Sequence, residues 1–125
     1  MSPIVMLLVA SAVPPGCNAP RSQVAMNRCA AAAYAQADAA MTRRWRAALA
    51  YMKRRDAQDK SRGGGFGYAA ALLESQRAWL RYRDAECVIE AGRFAGGSAQ
   101  PMTLAQCKAR LTDGRARELQ GLLWR

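Results

Sequence analysis

Between Ser22 and Lys60 the chain contains neither glycine nor proline. That run limits the fold more than any other feature, because those two residues are the usual interrupters of a helix. Within it, Met26, Ala30, Ala33, Ala37, Met41, Trp45, Ala48 and Met52 recur at steps of three and four. Such spacing lines one face of an α-helix. Ser22 is a suitable N-cap, since its hydroxyl can accept from a first-turn N–H. A helix over the whole run would be about 57 Å long at ~1.5 Å per residue, long enough to bend or to break near Arg43–Trp45.

Glycine divides the remainder of the chain. Gly63-Gly64-Gly65 with Gly67 forms one cluster and Gly96-Gly97-Ser98 another. The first has no Lys-Ser/Thr behind it, so it reads as a hinge and not as a phosphate-binding loop. A second helix is expected from Tyr68 to Arg93, with Leu72, Leu73, Trp79, Leu80, Cys87 and Ile89 as its apolar contacts. A third is expected from Thr103 to Leu123, capped by Thr103 after Pro101, with Leu104, Cys107, Leu111, Leu119 and Leu122 as its face. Sustained period-2 alternation is absent and β-branched residues are few, so no strand is predicted. The 125 residues suffice for one domain, and 27 alanines against 7% aromatics require a core of small side chains. The prediction is all-α: a small antiparallel three-helix bundle with a long first helix.

Four cysteines stand at 17, 29, 87 and 107. None has C-x-x-C spacing and the chain has no histidine, so metal ligation is excluded in favour of two disulfides. Three pairings exist in principle. The short turn between the second and third helices makes them antiparallel neighbours. Residue 97 lies midway between 87 and 107, which sets Cys87 opposite Cys107. Cys17–Cys29 then ties the leading segment over the first helix.

Disulfides imply an oxidising compartment. Residues 1–16 carry no charged side chain, and the apolar run Ile4–Val13 is too short for the roughly 20 residues that span a bilayer. Ala10-Ser11-Ala12 has the small-x-small form of a cleavage site. A signal peptide over 1–12 and a single mature domain over 13–125, secreted or periplasmic, are therefore expected. Because no Lys or Arg precedes the apolar run, an uncleaved N-terminal anchor is the alternative. Lipidation of Cys17 is a weaker variant, since Pro14 stands where a lipoprotein signal has Leu.

Nineteen Lys and Arg against nine Asp and Glu give +10, and sixteen of the nineteen are Arg. Arg43, Arg44, Arg46, Lys53, Arg54 and Arg55, with Lys60 and Arg62 beyond, make a basic stretch suited to an anionic wall polymer or membrane surface. No nucleic-acid-recognition motif accompanies it, so no specific nucleic-acid partner is expected. Without histidine, triads and imidazole proton shuttles are excluded. Asp84, Glu86 and Glu90 are helical neighbours, not a facing pair across a cleft. The chain is predicted to be no enzyme and to carry no cofactor.

Cys17…Gln23-x-x-Met26-Asn27-x-Cys29-Ala30, then Tyr34 and Ala37-Asp38, resembles the first half of the LprI-like lysozyme inhibitor family. Gln76-Arg77-Ala78-Trp79-Leu80-Arg81-Tyr82-Arg83-Asp84-Ala85-Glu86-Cys87 is similar to that family's Q-R-x-W-L-x-Y-R-D-x-x-C signature. Gly96-Gly97-Ser98, Cys107 and Leu111-Thr112-x-x-Arg115 come next in the family's order. The resemblance covers about residues 17–122. The family commonly has Leu-Asn and then Tyr after the Asp; here Met41-Thr42 and Trp45 stand there, which keeps the apolar and aromatic roles but removes the Asn. The resemblance implies a secreted or envelope-associated helical domain whose partner is lysozyme or another envelope protein, blocked sterically and without covalent chemistry.

Gln76, Trp79, Arg83 and Cys87 fall on nearly one helical stripe. An arginine on an apolar stripe requires a carboxylate partner, and Asp38 is the predicted one. Gln76 is expected to bridge backbone groups, and Asp84 completes this network. The competing reading is a polar patch that meets a partner. Trp79 and Trp45 are expected in the core, and Trp124 at the open end of the helical hairpin.

Overall fold

The computed structural model describes residues 13–59, 63 and 65–124. The expected leader over 1–12, and Lys60 and Arg62 of the basic stretch, lie outside the described residues. Three α-helices and one 3₁₀ turn account for the described secondary structure: α1 (Gln23–Gln58), α2 (Tyr68–Ala91), the turn Gly92–Phe94 and α3 (Gln100–Gly121). No strand occurs among the described residues.

The glycine-free run becomes one unbroken helix of 36 residues, about 54 Å at ~1.5 Å per residue. Ser22 caps it as expected, its side chain accepting from the Ala25 N–H at 3.1 Å. Ala30, Ala37, Met41, Ala48 and Met52 are buried along its inner stripe. Ala33 is exposed, against expectation, and half-buried Tyr34 takes the inward position one residue on. The reason is the ~3.6-residue period, which drifts off a strict three-four count.

α2 stops at Ala91 rather than Arg93, because Gly92 opens a 3₁₀ turn. α3 starts at Gln100, ahead of the expected Thr103. Pro101 sits inside its first turn, where a missing N–H forfeits no helical bond. Thr103 therefore does not cap. It is buried, and its hydroxyl donates to the Ala99 carbonyl at 3.0 Å.

The helices run up, down and up. α2 is antiparallel to both neighbours, so α1 and α3 run parallel. Contacts show the polarity: Asn27 near the start of α1 donates to the Ser98 carbonyl at 3.0 Å, while Tyr51 near its end donates to the Trp124 carbonyl. Met41, Ala48, Met52, Leu72 and Leu119 form the central core, with Trp45, Leu49, Trp79 and Leu80 packed on it. Leu73 and Ile89, assigned to the core by their type, are 39% and 71% exposed. Ile89 lies on the far side of α2 from the buried Leu72, Gln76, Arg83 and Cys87, whereas Leu73 sits at the edge of that buried face.

Both predicted disulfides are present. Cys17–Cys29 has a Cα separation of 5.6 Å and Cys87–Cys107 one of 5.5 Å. The second pair is fully buried and joins α2 to α3 across the hairpin. The start of α2 has no cap from its own segment: Gly67 is left-handed and offers no side chain. Asp56, from the last turns of α1, does the capping. Its carboxylate accepts from the N–H groups of Gly67 and Tyr68, both at 2.9 Å, and of Ala69 at 3.0 Å. Gly65 must be glycine for this clamp to close, because a Cβ there would stand 2.5 Å from the Asp56 carbonyl oxygen. Residues 65–67 are thus fitted against α1 and do not behave as the open hinge expected of a glycine cluster.

Candidate functional site

The stripe Gln76, Trp79, Arg83 and Cys87 faces into the bundle. Two buried arginines bracket Trp79: Arg83 lies 5.3 Å from its ring centroid and Arg115, from α3, 6.0 Å. Each guanidinium gains from the negative ring face, and each finds hydrogen-bond acceptors. Arg115 donates through Nε to Gln76 Oε1 at 2.9 Å, and through its terminal nitrogens to Glu118 and to the Ser75 hydroxyl, both at 3.1 Å. Gln76 Nε2 points at the Met41 sulfur, 3.7 Å away. Gln76 therefore bridges side chains of α1 and α3, not the backbone groups expected of it.

Arg83 is shared between three elements. Its Nε donates to Asp84 Oδ1 at 2.9 Å and its terminal nitrogen to the Thr112 hydroxyl at 3.3 Å. Asp38 Oδ1 stands 3.9 Å from the same nitrogen and is half exposed, so the expected partner makes the longer contact and the sequence neighbour Asp84 the short one. Asp84 also faces Lys108 at 3.8 Å. Tyr34 closes the layer beneath Arg83, at 5.4 Å. Burial pushes the Tyr34 phenol pKa up, while Arg83 opposes that and Asp38 and Asp84 add to it. No buried side-chain nitrogen or oxygen among the described residues is left without a partner. This layer is a fully satisfied internal network, which rigidifies the bundle.

Four members of the layer carried no role in the sequence reading: Arg115, Thr112, Ser75 and Glu118. Thr112 and Arg115 stood in the sequence only as part of the Leu111-Thr112-x-x-Arg115 run, and nothing marked Ser75 or Glu118. Only the four-residue step from Leu111 to Arg115 and on to Leu119 places Arg115 on the apolar face.

The surface is a separate matter. Arg43, Arg44, Arg46, Lys53, Arg54 and Arg55 are all exposed. They do not form one stripe. Arg44 borders a groove with Asp113 and Arg117 of α3, Arg54 borders the next with Trp124, and Arg46 and Lys53 point away from both. Arg55 stacks over Tyr68 at 5.8 Å and over Trp124 at 5.6 Å. Trp124 packs edge-on against Tyr51 and Tyr68, at the end of the bundle away from the α2–α3 turn. No group of three or more His, Cys, Asp or Glu among the described residues could hold a metal ion.

These features define a small scaffold: a cystine-stapled three-helix bundle, locked inside by paired arginines and basic outside. The sequence profile of the lysozyme inhibitor LprI family matches residues 17–119, and the chain belongs to that family. It is also 36% identical over 110 residues to an uncharacterized protein of Rhizobium meliloti (strain 1021), covering 87% of this chain and 79% of that protein. No solved structure matches the chain.

Proposed function

We propose that the protein is a secreted or periplasmic lysozyme inhibitor that binds non-covalently and occludes the enzyme's cleft. The family match carries this reading, since it spans both disulfides and all three helices. An inhibitor family needs a rigid surface and no reacting groups. Two disulfides and an internally satisfied polar layer provide rigidity. No helix among the described residues is long and apolar enough to cross a membrane. The mature form in this reading is 13–125, released from a leader over 1–12.

Charge sets a physical condition on the interaction. Common lysozymes are basic, and a partner at +10 is repelled at long range. Attraction must be local, through arginines set against the catalytic carboxylates. Added salt then relieves the long-range repulsion and speeds association. The test is a cell-wall lysis assay with the mature oxidised protein titrated against a c-type lysozyme at low and moderate salt, the reduced protein alongside. Saturable inhibition that survives salt and disappears on reduction is expected. Absence of inhibition at many-fold excess overturns the reading.

A second reading rests on the six exposed basic residues of α1, which suit an anionic wall polymer or membrane surface. Such binding weakens steeply with salt, the opposite response to that of the inhibitor.

A further inference from the structure

α2 carries an outward face that the bundle leaves unused. Tyr82, Val88 and Ile89 project from it, 55%, 65% and 71% exposed. At ~100° per residue, Arg77, Arg81 and Val88 share one stripe, with Tyr82 and Ile89 on a second roughly 110° further round the outward side. Both arginines are exposed, and neither makes an ion pair among the described residues. By contrast Arg83, Arg110 and Arg115 are each held by a carboxylate. Glu74 stands one turn before Arg77, and Asp84 at the border is committed to Arg83 and Lys108.

A merely solvated helix face does not need three large apolar side chains. Apolar groups interleaved with tyrosine and arginine are the composition of interface centres. A second copy of this chain is the wrong occupant. A two-fold pairing sets the same patch against itself, and here that would bring Arg77 and Arg81 close to their own copies in a molecule at +10. The patch asks for carboxylates set locally in its partner's surface, whatever that partner's net charge.

We infer that this face of α2 meets the lysozyme cleft, with Arg77 and Arg81 set against its two catalytic carboxylates; the inference rests on the inhibitor reading. The spacing fits. Residues four apart on a helix hold their Cβ atoms about 5–6 Å apart, and the two carboxyl groups of a retaining glycosidase lie ~5–5.5 Å apart. Two exposed arginines rooted on consecutive turns of one helix can therefore both reach a carboxyl pair of that separation. Tyr82 and Ile89 cover the sugar-binding surface beside them. α2 is held in place at both ends, by the Asp56 clamp and by Cys87–Cys107, so little order remains to be lost on binding.

The test compares two charge reversals of equal size in the oxidised full-length mature protein. Arg77→Glu with Arg81→Glu changes the proposed face, and Arg46→Glu with Lys53→Glu changes the outward side of α1. Both are surface changes, and unchanged circular dichroism and melting confirm the fold. Each is titrated against a c-type lysozyme in the lysis assay, and binding is followed by calorimetry with the cleft free or filled by a chito-oligosaccharide. The α2 double variant should inhibit roughly thirtyfold more weakly or worse, while the α1 variant keeps wild-type potency or gains from its lower charge. Tyr82→Ala should weaken inhibition about tenfold, and the sugar should compete. Equal losses in both double variants overturn the inference, because only net charge would then matter. Wild-type inhibition with no loss on the α2 change overturns the face and leaves the inhibitor reading standing. No inhibition by the wild-type protein removes both. A wild-type dimer that Ile89→Asp dissolves reassigns the face to self-association.

Discussion

Gln76 and Arg115 offer a decisive test of the buried polar layer. Both are buried, and Arg115 Nε donates to Gln76 Oε1 at 2.9 Å. Gln76→Leu strands that N–H of a charged group, which costs about 1.5–3 kcal/mol. Arg115→Met leaves the Gln76 oxygen buried without a donor, at about 1–3 kcal/mol. Glu118 and Ser75, the other partners of Arg115, are exposed and regain water, so they add little. The double variant removes both polar groups from the interior and leaves neither stranded. It should recover at least about 1.5 kcal/mol relative to the sum of the singles. The assay is urea unfolding of the oxidised protein followed by circular dichroism. Each single variant should lower the midpoint by roughly 1 M, taking a slope of ~2 kcal/mol per molar. Additivity within about 0.5 kcal/mol would refute the reasoning, because it would mean the two groups do not depend on each other.

Reducing Cys87–Cys107 or Cys17–Cys29, whose loops separate the partners by 20 and 12 residues, should cost about 3 kcal/mol each in the chain-entropy model. Calorimetric melting of single-disulfide variants should show roughly 10–15 °C lost per bond. Leu119→Ala, at a fully buried position, should cost about 2–5 kcal/mol by the same urea assay. The N–H groups of Ala69 and Tyr68, and then of Gly67, hold the Asp56 carboxyl below its ordinary pKa, and Arg110 does the same for Glu90. For carboxylates depressed in the folded state, the stabilisation is present above their unfolded values near pH ~4 and is lost as pH falls through the folded ones. Stability measured from pH 7 to 2 should therefore fall below about pH 4; Asp56→Asn should flatten that decline, and an unchanged profile would count against the clamp.

Local pattern alone was enough for much of the fold. The uninterrupted run from Ser22, the two glycine clusters and the position of residue 97 between Cys87 and Cys107 yielded three helices, their order and both disulfides. Those features depend on backbone propensity and on counting along the chain. The side-chain partners were not legible in the same way. Arg83 takes its short contact from Asp84 and its longer one from Asp38, and Gln76 serves Arg115 on a helix nearly forty residues away. Asp56 caps a helix it does not belong to, and Leu73 and Ile89 stay in water although their type suits a core. Periodicity says which residues share a face of one helix. It does not say which face of the neighbouring helix lies opposite, and hydrogen bonds at about 3 Å depend on that rotation. The sequence by itself therefore determined the helices and their staples. Only the packing of α2 against α1 and α3 decided which arginines are locked inside the bundle and which, as Arg77 and Arg81, stay exposed with no ion pair among the described residues.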